Sequence, residues 1–298
     1  MSLRRPVQII INRTNPAQYL ACCGIFEIVT RFDPSAVSRW ETGTGAQFLI
    51  ETALDEVRLV ECLVRTFTRW DEEHWRVRPV DGTETVQCLE VTFALSDAER
   101  RRLKLDWWYE TLEADGGIGG RSAWKMYAGN QTVEKTVAAM VSACREIASA
   151  RVSTALAGLL TASKGMSGRF GFDPGSSRNA LDVGYSPNDL NLEVATYPFV
   201  ELLAMVAAQY FYPPRTRAGG GHESTRGFVR GRDSRKIYFQ HCLWYENLPV
   251  VLARAYACGA LAAVIPGQML KSERAMRDKY SNLSPSIQAD FEKGNFND

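Results

Sequence analysis

Hydrophobic and polar positions divide the chain into short strands and amphipathic helices. Val7-Gln8-Ile9-Ile10-Ile11-Asn12 is dense in β-branched residues and predicts a strand. A helix follows, with Thr14 or Asn15 as its cap and Pro16 at its first position. Tyr19, Leu20, Cys23, Phe26 and Ile28 form its apolar face, and Phe32-Asp33-Pro34 ends it. A strand is predicted around Gln47–Ile50, and a helix over Thr52–Thr68 with Leu54, Val57, Val60, Leu63, Val64 and Phe67 on one side. Thr85–Leu95 and Leu103–Trp108 read as paired strands. The first third is therefore β-α-β-α-β-β, an α+β pattern.

Glu113–Gly120 is acidic and glycine-rich and places a boundary between an N-terminal α+β unit, 1–115, and a helix-rich α+β unit, 121–298. In the second unit Asn130-Gln131-Thr132 caps a helix to about Ala150, striped by Val133, Val137, Met140, Val141, Cys144 and Ile147. Further helices are predicted over Ala155–Ala162, Pro198–Phe211 and Pro249–Leu261, and strands over Gly168–Asp173 and Lys236–Trp244. Pro174–Leu190 is a loop by composition, and the tail from Lys271 is polar, without a strong stripe, and reads as loosely packed or bound to a partner.

One stretch breaks this alternation. Pro213–Lys236 carries seven Arg or Lys against two acids, a local charge of +5 in a chain whose total is +1. A glycine-rich segment with so much charge cannot bury it, so it is solvated or neutralised by a polyanion, of which phosphate backbones are the commonest. Arg215, Arg217, Arg226, Arg230, Arg232, Arg235 and Lys236 are the candidate phosphate contacts, through forked hydrogen bonds. Phe228 is the candidate for stacking on a base, and Trp124 and Lys125, beyond a glycine-rich loop, are candidates for a second contact.

Composition limits the alternatives. With 45% hydrophobic and 23% charged residues over 298 positions, the chain reads as globular with a sizeable core. Its near-zero net charge argues against phosphate binding over the whole surface. The seven cysteines include no C-x-x-C pair, their number is odd, and most lie in apolar runs, which predicts buried free thiols in a reducing cytosol. No stretch predicts a membrane span, and the N-terminus is too short in apolar length for a signal peptide.

Catalytic and cofactor motifs are weak. Gly116–Ser122 has glycines one position too close for a phosphate loop and Arg121 where Lys is required. His74, His222 and His241 have no partner at metal-ligand spacing, so no metal or cofactor is expected. His222 could serve as a proton-transfer group in a metal-independent endoribonuclease, but nothing marks a second such group. His241 reads as a core or groove residue. Asp71-Glu72-Glu73 and the acids Asp173, Asp182 and Asp189 read as solvated or turn-forming residues.

Several stretches together resemble one family. Thr14–Ile28 is similar to the opening "NPxxYLACCGLxEL" of CRISPR-associated effector-complex subunits of type I-U (also I-G) systems. Ala180–Asn188, running into Ala195–Ala204, resembles the central signature of the Csb-type subunit, the third of its series. Trp107-Trp108, Lys125–Gln131 and Tyr256–Leu261 have counterparts in the same order, although Met126-Tyr127 departs from the expected "KxWAGxQ" spacing and the basic stretch is longer. The resemblance implies a RAMP-like protein of ferredoxin-like (RRM-like) units with added helices. It implies a non-catalytic subunit of a Cascade-type antiviral ribonucleoprotein, holding guide RNA and/or target DNA by the backbone beside other effector subunits. The helices at 15–32 and 198–212 would be scaffold. The rivals are the endoribonuclease processing guide precursor, and an interaction subunit whose basic loop docks on an acidic protein.

Overall fold

The computed structural model describes residues 6–41, 46–79, 87–107, 109–112, 118–121, 124, 126, 132–150, 155–176, 193–211, 227–230, 236–259, 261, 264–277 and 280–289. The fold is mixed α+β, with several small antiparallel sheets around a helical centre.

The chain begins β1 (Val7–Ile11), α1 (Pro16–Phe32), β2 (Val37–Glu41), β3 (Ala46–Glu51) and α2 (Glu56–Phe67). Asn15 caps α1 by accepting from the amides of Ala17 and Gln18, with Pro16 where a missing N–H costs nothing. Asp55 caps α2 through the Arg58 amide, so this helix starts later than its apolar stripe suggests. β3 pairs antiparallel with both β1 and β2, which makes β1 and β2 parallel with β3 between them. That is a split β-α-β unit. β2 was not foreseen, and it gains its strand character from the ladder to β3.

A second sheet follows in the order β4 (Trp75–Pro79), β5 (Gln87–Ala94), β6 (Arg100–Leu105). The foreseen pair is β5 and β6, and β4 adds a strand of alternating arginines. Of the expected break Glu113–Gly120, residues 113–117 lie outside the described residues and Ile118–Gly120 belong to β8 (Ile118–Arg121), which pairs with β7 (Tyr109–Leu112). The chain continues through α3 (Val133–Ser149), α4 (Leu156–Thr161), β9 (Lys164–Met166), β10 (Val194–Thr196) and α5 (Pro198–Ala208), whose last turn is 3-10, Gln209–Phe211. Then come β11 (Phe228–Arg230), β12 (Ile237–Trp244), β13 (Leu248–Pro249), α6 (Val250–Ala257), β14 (Gly267–Arg277), β15 (Tyr280–Leu283) and β16 (Ile287–Ala289).

Three further expectations are corrected. Gly168–Asp173 is not a strand, because the amides of Phe170 and Asp173 are taken by the Glu201 carboxylate and not by a neighbouring strand. The last helix stops at Ala257, where Gly259 adopts φ +85°, a left-handed conformation that ends a helix without a Cβ penalty. The described part of the polar tail, to Ala289, is not loosely packed. β12 pairs with β14 along the whole length of β12, from Trp244 opposite Gly267 to Ile237 opposite Arg274. The weak stripe reflects polar groups that pair with one another, such as the buried hydroxyls of Ser272 and Ser286 at 2.7 Å.

One hydrophobic cluster crosses the expected boundary at 115–121 and includes residues of every described α-helix. α1 and α5 are the closest helix pair and both are buried nearly all round. β13 extends the first sheet beside β2, and the Trp244 indole donates to the Ser38 carbonyl at 2.9 Å, so the two halves share backbone pairing as well as core. Glu27 of α1, itself buried, holds both Arg31 and Arg254, the latter from α6. Among the described residues no helix is long and apolar enough to cross a membrane.

Candidate nucleic-acid interface

The basic segment is rooted in an aromatic footing. Its downstream part forms a hairpin in which Phe228, Val229 and Arg230 of β11 face Phe239, Tyr238 and Ile237 of β12. Gly227, at φ +80°, turns the chain into that strand where a Cβ would meet the Phe211 ring at 2.8 Å. Trp124 sits at the centre. Its ring lies 4.8 Å from Phe228, 4.7 Å from Phe239, 5.5 Å from Phe211 and 5.7 Å from Phe172, mostly edge to face. Such contacts contribute about 0.5–1.5 kcal/mol each beyond the area they bury.

This corrects two candidate roles. Trp124 is 0% exposed and Phe228 is 5% exposed. Neither ring offers a face to a base, because each is consumed by core contacts. Lys236 stands exposed at the hairpin, where Glu273 of β14 accepts from its ammonium at 2.9 Å. Arg230 belongs to β11 by its main chain. Arg215, Arg217, Arg226, Arg232, Arg235 and Lys125 lie outside the described residues, as does His222.

His241 continues the aromatic series inward, stacked 4.8 Å from Phe239 and 4.3 Å from Tyr19. It is fully buried and neither ring nitrogen has a hydrogen-bond partner. Burial pulls its pKa down to about 3, so the imidazole is neutral at physiological pH and is a core group, as its place in the strand suggests. His74 is also buried, and the carboxylate of Asp71 receives both its Nδ1 and its backbone amide. Ligand atoms of Asp71, Glu73 and His74 lie within 4.8 Å of one another. However, Glu73 is engaged by Arg100 and Asp71 closes the turn into β4, so these groups are already used in the fold.

A polar hub missed in the sequence joins the start of α1 at Asn15 to the start of α5 at Glu201. Glu201, 0% exposed in the first turns of α5, accepts from the Phe170 and Asp173 amides, both at 3.0 Å. Asp173 accepts from the Asn15 side chain at 3.1 Å and from the Gly175 amide at 2.7 Å, a turn role consistent with the sequence reading. Asp182 and Asp189 lie outside the described residues. Burial pushes the Glu201 carboxyl up to about 7, helped by the nearby Asp173 charge and opposed by its two amide donors and Arg169. A lone acid within the apolar run Pro198–Ala208 was the available signal. The clamp holds Phe170 and Phe172 against Trp107, and Phe172 against Trp124, which connects it to the footing of the basic segment.

No nucleophile, base and orienting group converge among the described residues. Comparison with protein-family models, with curated proteins and with solved structures finds no match.

Proposed function

We propose that this chain is a non-catalytic subunit of an RNA-guided CRISPR effector complex of the type I-U (I-G) kind. In this reading it holds the backbone of guide RNA or target DNA through residues 213–236, alongside other subunits and in the cytosol. The observation that carries the reading is the +5 segment in a chain of total charge +1. Its described strand, Phe228–Arg230, packs through Phe228 on Trp124 and Phe239, and in this reading the counter-charge of the segment's guanidiniums is sugar-phosphate.

Two features of topology support a RAMP-like, ferredoxin-like ancestry. The β1-β3-β2 arrangement with α1 and α2 is the first part of a ferredoxin-like unit. The second half runs strand, helix, strands, helix, strand as β10, α5, β11, β12, α6 and β14, with the short β13 inserted between β12 and α6 and paired to the first sheet; β12 pairs directly with β14 and β10 pairs with β9. The two opening helices, α1 and α5, pack on each other, and the signature stretches meet at Asn15, Asp173 and Glu201.

The test is a salt titration of single-stranded RNA and DNA binding by the wild type and by Arg215→Ala/Arg217→Ala/Arg226→Ala. The log–log salt slope should become shallower by about 0.7–0.9 for each phosphate no longer neutralised. An unchanged slope in the triple variant sinks the assignment.

A further inference from the structure

The sheet formed by β4, β5 and β6 has two different faces. Trp75, Leu89, Val91, Phe93, Leu103 and Leu105 point into the core. The residues between them form the other face: Arg76 and Arg78 on β4, Cys88, Glu90 and Thr92 on β5, and Arg100, Arg102 and Lys104 on β6. Five cations on the two outer strands therefore flank a central strand that carries one acid, Glu90, between the buried Cys88 and Thr92.

The carboxylates that balance these cations are placed unevenly. Glu90 accepts from Arg78 at 2.9 Å and lies 3.9 Å from Arg102, yet its side chain is only 17% exposed against 48% and 51% for the two arginines. Asp106, at 9%, lies beneath Lys104 at 40%. At the opposite end of β6, Arg100 is held by Glu73 and lies 3.9 Å from Asp97. Arg76 donates to a main-chain oxygen, that of Glu72, at 2.9 Å. An approaching anion thus meets guanidinium and ammonium groups first, with acids sunk below them over Arg76, Arg78, Arg102 and Lys104.

Spacing and direction favour a polynucleotide. Alternate residues of a strand stand about 6.6–6.8 Å apart, a step comparable to that between phosphates of an extended single strand. Arginine forks match phosphate oxygens in pairs. The row on β6 also leads toward Gln209–Phe211. The Asp106 amide donates to the Gln209 side chain at 3.1 Å, and Gln209 returns a bond to the Asp106 carboxylate at 2.9 Å. Gln209 opens the 3-10 turn that ends at Phe211, where the chain runs into the basic segment.

We propose that the outer face of the β4–β5–β6 sheet is a second backbone-binding surface for single-stranded nucleic acid, and that its β6 row guides the sugar-phosphate chain toward Gln209–Phe211. This rests on the nucleic-acid reading above, and the test separates the two. Arg76→Ala/Arg102→Ala/Lys104→Ala in the full chain is compared with the 215/217/226 triple variant by fluorescence anisotropy. The probes are labelled single-stranded RNA and single-stranded DNA of one mixed sequence, over a range of salt. The sheet variant should weaken binding at least tenfold at low salt and make the slope shallower by about 2, from three contacts at about 0.7 each on a single strand. The probe bound more tightly identifies the strand the face takes.

Wild-type affinity and slope in the sheet variant, with both reduced in the segment variant, overturn this inference and leave the functional reading standing. The reverse pattern overturns the functional reading and keeps the sheet surface. Polyglutamate that displaces RNA from the wild type, but binds the sheet variant no more, assigns the face to an acidic protein and overturns the proposal. Should the triple variant fail to fold, Glu90→Gln decides. Removing the one central acid should tighten RNA binding several-fold and steepen the slope, and no change overturns the proposal.

Discussion

Gly24 of α1 lies directly against the Leu203 carbonyl of α5, where a methyl carbon in place of its hydrogen would stand 2.1 Å from that oxygen. The obstacle is backbone, which cannot swing aside as a side chain could. Gly24→Ala must therefore push apart the two most buried helices of the molecule, and overpacking of that kind costs about 1–3 kcal/mol or more. Urea unfolding should show a lower midpoint with an unchanged slope. A wild-type midpoint would mean that the helices do not approach as closely as described.

Glu201 should make stability depend on pH. Its carboxyl is raised by burial from an ordinary value of 4.5 to about 7. A group held above its unfolded value contributes stability that is complete below about 4.5 and lost as pH rises through about 7. Urea midpoints of Glu201→Gln measured over that window should vary less steeply in the falling direction than those of the wild type. Parallel curves would show that Glu201 does not titrate there.

His241 should act in the opposite direction. Its pKa falls from 6.5 to about 3 through burial, so its contribution is complete above 6.5 and lost as pH falls toward 3. His241→Phe keeps a ring between Tyr19 and Phe239 and removes the titration. It should flatten the acid side of the stability profile, by at most about 1.4 kcal/mol per pH unit. An unchanged acid limb would place the imidazole in contact with solvent.

Phe228 separates footing from contact. Phe228→Leu should lower the melting temperature, since it removes the ring that packs on Trp124 and Phe239. Its RNA affinity, measured well below the melting temperature, should stay within about twofold of wild type, since a base–aromatic stack is worth about 1–3 kcal/mol. A drop of tenfold or more with the melting temperature unchanged would restore Phe228 as a stacking residue.

Local chemistry made much of the architecture legible. Asn15-Pro16 marks a helix start because a capping oxygen and a missing N–H act within three residues. The stripe of α3 reports its buried face directly, and the +5 stretch is visible by counting. The stripe of α2 does so only in part: Val60, Leu63 and Phe67 are buried, but Val57 is exposed and the buried Leu59 and Cys62 lie outside the expected stripe. β2 and β4 were not legible, because Val37-Ser-Arg-Trp-Glu and Trp75-Arg-Val-Arg-Pro become strands through ladders to β3 and β5. The cation face of β4–β5–β6 was hidden for a related reason. Its arginines are spread from 76 to 104 among core residues and meet only once the register is set.

Along the chain, periodicity and capping settled where α1 begins and which side of α3 faces inward, since both arise from neighbours a few residues apart. Which elements meet was decided by packing between distant segments. Asn15 reaches Asp173, Glu201 clamps the chain at Phe170, and Trp124 closes over Phe228 and Phe239. Such partners are chosen by shape and by the need to satisfy buried polar groups, and those conditions exist only in the assembled core.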